Sequence, residues 1–308
     1  MLINKCMGKS IDNIKTPISR ELIDDAIRDF GIQDFEMATI REVKAIAAYA
    51  ENKSGVEFIK FEMGIPGLPA SQVGVDAQVK ALREGIAHSY PDIQGNPELK
   101  REASRFVKAF IGVDVPQESC VPVCGSMQGT FAAFLTCSQA DRSKDTVLFI
   151  DPGFPVQKMQ LQVLGVKYET FDVYDYRGEK LGSKLEAYLR QGNICAIVYS
   201  NPNNPSWICL GEDELETIGT LATKYDAIVM EDLAYFAMDF RKQLSTPFQP
   251  PYQATVARYT DNYMMFISGS KAFSYAGERI GVVCICDKLF KRHYADLDTR
   301  YEGLPFGL

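Results

Sequence analysis

Histidine is almost missing from this chain: His88 and His293 are the only two in 308 residues. That nearly excludes a zinc site built on imidazoles. Basic excess is missing too, since 33 Lys and Arg stand against 40 Asp and Glu, a net charge of -7. A dedicated nucleic-acid binder needs a basic face to displace counterions from phosphates, and a polybasic membrane-surface protein needs the same excess. No apolar run approaches the roughly 20 residues that cross a bilayer. The first residues, 1–13, contain no apolar core of the secretory kind. Tryptophan occurs once, at position 207.

The 8 cysteines show no metal or disulfide spacing. Cys284 and Cys286 fall on one face of an apolar run, and Cys120, Cys124, Cys137 and Cys195 also lie among apolar residues. They read as reduced, packed small hydrophobes. What the chain does have is 46% hydrophobic residues over a length that buries a large core. Composition therefore points to a cytoplasmic enzyme and goes no further.

Apolar runs alternate with helical patterns through most of the sequence. Residues 121–123, 146–150, 166–171, 194–199, 227–230, 263–267 and 280–285 are short, β-branched or aromatic-rich runs. Several are apolar on both faces, as buried parallel strands are. Helical patterns at 127–137, 156–164, 184–190 and 212–225 separate them. This repeat predicts an α/β fold, a three-layer sandwich with a mostly parallel seven-stranded sheet. Earlier in the chain, 20–30 and 39–52 read as helices and 56–61 as a single strand. Residues 96–110 read as a helix with Asn96 as its cap and Pro97 in its first turn. The proline-containing stretch 241–259 reads as a long surface loop.

Open parallel sheets take ligands at the carboxyl ends of their strands. Five segments stand there. Cys124-Gly125-Ser126-Met127 precedes a helix, whose first free N–H groups suit an anion such as phosphate. It matches neither the dinucleotide fingerprint nor a Walker A loop, so alone it reads as an ordinary β-α turn. Asp151 to Pro155 offers the Phe154 ring as a stacking surface. The prolines around Asn203 and Asn204 enforce an extended backbone that aims an amide. Asp232 at a strand end suits a protonated ring nitrogen, with the Tyr235 phenol three residues on. Lys271, among Ser268, Gly269 and Ser270, would lose proton affinity in a cleft and become a nucleophile, while Arg279 beside two serines suits a phosphate. Each has a plain structural alternative: a turn, a cap, a packed tyrosine, a solvated lysine.

Taken in order along the chain, these segments resemble the class I/II aminotransferases, the fold type I pyridoxal-phosphate enzymes related to aspartate aminotransferase. The resemblance runs from about Thr16 to about Lys291. Its most specific part is S-G-S-K-A-F-S-Y-A-G-E-R-I-G, residues 268–281, against the family pattern S-x-S-K-x-F-x-x-x-G-x-R-x-G. The segment beginning at Tyr90 and reaching Leu99 is similar to the family's Y-x-x-x-x-G-x-x-x-L.

The resemblance implies pyridoxal 5'-phosphate as cofactor and Lys271 as the residue that forms the internal aldimine, then moves the proton between substrate Cα and C4′. It implies Asp232 on the pyridine nitrogen, Tyr235 and Asn204 on the phenolic oxygen, and Phe154 stacked on the ring. It implies a phosphate site made of Gly125, the N–H groups of Ser126 and Met127, Ser268, Ser270 and Arg279. Tyr90 would reach the neighbouring subunit's phosphate, which implies a homodimer, and Gly64 would stand near the substrate carboxylate. The substrates would be an amino acid and a 2-oxo acid, with no nucleic acid, membrane or metal involved. A C–S lyase or a decarboxylase of the same fold would use the same cofactor residues, and a non-catalytic ligand-sensing domain is the remaining alternative.

Three departures accompany this resemblance. Ser206-Trp207 follows Pro205 where the family reads Thr-Gly, so the lone tryptophan marks an unusual turn or pocket edge. Gly269 and Tyr275 replace residues that are usually apolar. Family members also continue beyond the position of Leu308 into a small C-terminal domain, whose arginine clamps the substrate carboxylate. The expected organisation is therefore 1–65 as an N-terminal arm with part of the small domain, 66–287 as the cofactor-binding domain, and 288–308 as the start of a truncated small domain.

Overall fold

The seven apolar runs become the seven strands of one sheet: β1 (Cys120–Val123), β2 (Thr146–Asp151), β3 (Lys167–Asp172), β4 (Ile194–Ser200), β5 (Ile228–Asp232), β6 (Tyr263–Ser268) and β7 (Gly281–Ile285). The structure is a computed structural model in which residues 16–35, 38–61 and 64–292 are described. The chain divides into two compact units, Met1–Ile65 and Pro66–Leu308.

In the first unit, α1 (Arg20–Asp29) is capped by the Ser19 hydroxyl, which accepts the Leu22 N–H at 3.2 Å. Helix α2 (Ile40–Ser54) opens on a capping box: Thr39 Oγ1 accepts from Glu42 N, and the Glu42 carboxylate accepts from Thr39 N. The expected strand at 56–61 is irregular backbone instead. No neighbouring strand offers it a ladder among the described residues of this unit. Its groups turn to α2, where Glu51 accepts from Phe58 N at 3.0 Å and pairs with Lys60. Alternating apolar residues make a strand only where a partner strand exists.

In the second unit, the strand order is β1-β7-β6-β5-β4-β2-β3. All neighbours from β3 through β6 pair in parallel, and β7 alone runs antiparallel to both its neighbours. Central strands β4, β5, β6 and β7 are buried along their whole length, while edge strand β3 buries only Phe171. Continuous apolar runs belong to strands covered on both faces. Helices α3 (Gln72–Arg83) and α4 (Pro97–Phe110) precede the sheet. Asn96 caps α4, its Oδ1 accepting from Leu99 N. Crossovers α5 (Ser126–Ala140), α6 (Pro155–Leu164), α7 (Glu179–Leu189) and α8 (Glu212–Lys224) follow, then the short α9 (Gly269–Ala272) and α10 (Asp287–Phe290). Helix α7 begins five residues before the run expected at 184–190, because Gly178 caps it and Glu179 opens it.

Successive residues of a strand face opposite ways. Asp232 is held by Gln157 of α6, whereas Glu231 is held by Thr255 and Val256, beside a turn that packs on α8. Helices α6 and α8 thus cover opposite faces, which makes three layers. The stretch 241–259 is indeed irregular, yet Gln253, Ala254, Thr255 and Val256 are buried. That part is no surface loop: the fully buried Glu231 carboxylate needs donors, and the loop supplies the Thr255 hydroxyl and the Val256 N–H.

Close helix packing fixes one glycine on α8. A Cβ at Gly219 would stand 2.7 Å from Tyr259 Cβ and 3.0 Å from its backbone carbon. Overpacking against backbone costs about 1–3 kcal/mol and outweighs the ~1 kcal/mol helix preference for alanine. Gly219→Ala is expected to lower the urea midpoint of unfolding, with an unchanged or raised midpoint as the contrary result.

Candidate active site

Strand register brings the carboxyl ends together. Ser200 at the end of β4 pairs with Asp232 at the end of β5, Asp232 with Phe266, and Ser268 at the end of β6 with Gly281. Gly281 in turn pairs with Val123 at the end of β1. Strand β7 is the one that starts where the others finish, so its reversed direction carries Arg279 to the same sheet edge as Lys271 and Asp232.

Asp232 is buried, 8% exposed. Its Oδ2 accepts from Gln157 Nε2 and its Oδ1 from Ala234 N, each at 3.0 Å. No ion pair to it is found among the described residues. Burial pushes its pKa up to about 6, against the opposing pull of those two donors. Tyr235 is half-buried, and burial together with the Asp232 charge raises its phenol. The Lys271 ammonium lies 6.0 Å from the centre of the Tyr235 ring. Burial, then the Arg279 charge, lowers its pKa. The neutral amine fraction near neutral pH therefore exceeds that of an ordinary lysine.

An anion cradle adjoins this cluster. Gly125 caps α5 with φ 78 and ψ 155, a backbone region open essentially to glycine. A Cβ there would stand 2.3 Å from Arg279 Nη2. The guanidinium thus lies against the start of α5, where the first N–H groups, those of Ser126 and Met127, have no partner within the helix. Arg279 itself sits at φ 56, and its Nη1 donates to the Ala276 carbonyl at 2.7 Å. A Cβ on Gly281 would come within 3.0 Å of Ser126 N, so β7 approaches the same turn at glycine distance. The Ser268 hydroxyl caps α9, accepting from Ser270 N at 3.1 Å.

The turn after β4 is closed around Asn203. Its N–H donates to the Ile208 carbonyl, its carbonyl accepts from Trp207 N, and its Nδ2 donates to the Pro152 carbonyl. The Ser200 hydroxyl accepts from Asn204 N at 3.1 Å. Phe154 caps α6 at the end of the neighbouring β2 turn.

Two expected residues are exposed: Tyr90 is fully so, and Gly64 is an exposed residue of the first unit. An apolar cavity of about 800 Å³, walled by Leu99, Phe106, Phe110, Phe273 and Val282, includes neither Lys271 nor Asp232. Sequence reading missed Gln157, which lies one helical turn beyond Phe154, a spacing that puts both on one face of α6; Ser200, read as the first residue of the turn after 194–199, is the last residue of β4.

A doubly covered, mostly parallel sheet with polar groups gathered at its carboxyl edge defines an α/β protein with an enzyme-like cleft. The same fold occurs in solved structures: a Thermus thermophilus aspartate aminotransferase double mutant superposes with a TM-score of 0.68 at 19% identity, over 91% of this chain and 69% of that one. The chain belongs to the aminotransferase class I and II family, whose model matches residues 56–301. Among curated relatives, a probable aspartate aminotransferase of Methanocaldococcus jannaschii is 24% identical over 78% of this chain and 60% of its own length. An LL-diaminopimelate aminotransferase of Halothermothrix orenii is 27% identical over 78% of this chain and 60% of its own. The chain thus spans about 60% of the length of these relatives. Among the described residues no helix is long and apolar enough to cross a membrane, and no cluster of metal-ligating side chains occurs.

Proposed function

We propose that this chain is the cofactor-binding part of a pyridoxal-phosphate-dependent aminotransferase, one that moves an amino group from an amino acid to a 2-oxo acid. The observation that carries this reading is Asp232: a buried carboxylate of raised proton affinity, held among the described residues by two neutral donors at the end of β5, next to the strand that leads to Lys271. A protonated ring nitrogen supplies the missing cation. The residues present fit the cofactor, since the Gly125–Arg279 cradle suits its phosphate and has no room for a Cβ.

Bound there, pyridoxal phosphate supplies an electron sink for the bond broken at the substrate Cα. Asp232 keeps the ring nitrogen protonated, which deepens that sink. Gln157 orients the Asp232 carboxylate from the face of α6. Tyr235 and Asn204 donate to the phenolic oxygen, and Phe154 covers one face of the ring. Ser268, Ser270, Arg279 and the N–H groups of Ser126 and Met127 hold the phosphate. Lys271 would be the residue whose amine holds the bound cofactor, and that same amine, when free, would serve as the base for the proton at the substrate Cα. Tyr90, exposed in the single chain, reaches the phosphate site of a second copy.

Titration of the purified chain with pyridoxal phosphate is expected to produce a visible absorbance. Borohydride reduction followed by peptide mapping is expected to place the label on Lys271. Addition of donor amino acids is then expected to give the pyridoxamine form. Release of ammonia and a 2-oxo acid would instead indicate elimination. Absence of absorbance, or labelling elsewhere, would sink the cofactor assignment.

A further inference from the structure

Trp207 occupies a backbone conformation that bulky residues avoid, with φ 59 in the left-handed region. Strain of this kind persists only where the surroundings enforce it, and it gathers at functional sites. The surroundings here are specific. Trp207 N donates to the Asn203 carbonyl at 2.9 Å, while Asn203 Oδ1 accepts from both the N–H and the hydroxyl of Ser206. Ser206 Oγ also accepts from Ile208 N at 3.2 Å. The turn is thus tied down on both sides of the tryptophan.

What the turn presents is a ring. The Trp207 indole meets Tyr235 edge to face, centroids 5.4 Å apart at 70°, and stacks on Phe240 at 6.2 Å and 18°. Tyr235 is also the ring over which the Lys271 ammonium lies, 6.0 Å from its centre. One phenol therefore contacts both the turn bearing Asn204 and the lysine. An aromatic pair of this geometry is attractive beyond its buried area.

We propose that Trp207 is a positioning residue that acts through Tyr235, fixing the phenol against Lys271 and shielding that side of the cleft from water. The proposal rests on the cofactor reading of the site. Loss of the indole lets the phenol swing and admits water beside the amine. The cofactor then binds more weakly, and the bound form titrates at a different pH.

The test compares Trp207→Gly and Trp207→Phe with the unchanged chain. Glycine accepts the left-handed backbone without strain, so the first variant folds, and circular dichroism checks this. Trp207→Gly is expected to weaken pyridoxal phosphate binding roughly 3–10-fold, the factor that one aromatic pair corresponds to. It is also expected to shift the pH midpoint of the visible absorbance. Trp207→Phe keeps a ring in place and is expected to restore most of both. In a Tyr235→Ala background, Trp207→Gly is expected to have no further effect.

A cofactor-free measurement stands beside these. Trp207 is the sole tryptophan, so Tyr235→Ala is expected to shift the protein's tryptophan emission to longer wavelength. Unchanged affinity and midpoint in a folded Trp207→Gly chain overturns the proposal, as does an additive effect in the Tyr235→Ala background. Unchanged emission overturns the contact itself. Failure of the unchanged chain to bind pyridoxal phosphate, with the emission shift intact, overturns the cofactor reading and the positioning role with it, while the ring contact stands.

Discussion

With Lys271 replaced by alanine, the chain is expected to keep its fold and to lose covalent attachment of pyridoxal phosphate altogether. Alanine is a better helix former than lysine, and the native amine is partly desolvated at a cost to its protonation. Stability is therefore expected to change little. What disappears is an amine that the fold places near both Tyr235 and Arg279. Residual non-covalent binding through the Gly125–Arg279 cradle is expected to remain, because the phosphate contacts do not involve Lys271. Conversion of bound cofactor to the pyridoxamine form by a donor amino acid, the activity proposed above, is expected to fall by at least the ~10²–10⁴ that a positioned proton-transfer group contributes. Reduction with borohydride and mass measurement give the answer directly. Retained covalent label in Lys271→Ala would show that another amine occupies the site.

Asp232→Asn is expected to move stability and cofactor binding in opposite directions. In the cofactor-free chain, burial raises the Asp232 pKa from 3.8 to about 6. A carboxyl with a raised folded-state pKa contributes no penalty below the unfolded pKa, where it is protonated in both states. As pH rises from about 4 to about 6, the folded state must ionise a buried group, and stability falls by roughly 2–3 kcal/mol. Asparagine removes that penalty while keeping an acceptor for the Ala234 N–H. The variant is thus expected to be more stable than the unchanged chain at pH ~8 and nearly equal to it at pH ~4. Glu231, pushed up to about 7 by its own burial, produces a similar slope in both proteins and cancels in the difference. Pyridoxal phosphate affinity is expected to fall roughly 10²-fold or more, because a buried charge partner of the ring nitrogen is lost. Urea midpoints at the two pH values and equilibrium dialysis measure the two effects. Equal cofactor affinity in the two proteins would remove Asp232 from the site.

Legibility differed from segment to segment for physical reasons. The β4 run was readable because its residues 194–199 are hydrophobic and all of the strand is buried. The run 56–61 looks equally strand-like, yet no partner strand reaches it among the described residues of its unit. Strand formation is a property of pairs, and one segment carries half of the information. Gln157 escaped notice because a glutamine in a helix has no signature of its own. Its significance lies in the 3.0 Å bond to a carboxylate 75 positions away. The buried half of the 241–259 loop was hidden in the same way, since only the position of Glu231 explains its burial.

The candidate residues could be named from the chain itself. Lys271, Asp232, Tyr235, Arg279 and the Gly125 turn stand at the ends of apolar runs, where strand periodicity locates them, and only the resemblance to the family suggests roles for them. Composition likewise argued against a histidine-based zinc site and a dedicated nucleic-acid binder. Tertiary structure decided which of those ends meet. Six strands point the same way, and β7 alone points back, so Arg279 arrives at the edge where the others finish. The direction of a strand depends on its partners across the sheet, and nothing local in residues 281–285 encodes it. The same holds for Trp207: its identity is plain in the sequence, but its grip on Tyr235 exists only because two turns, 28 positions apart, close against each other.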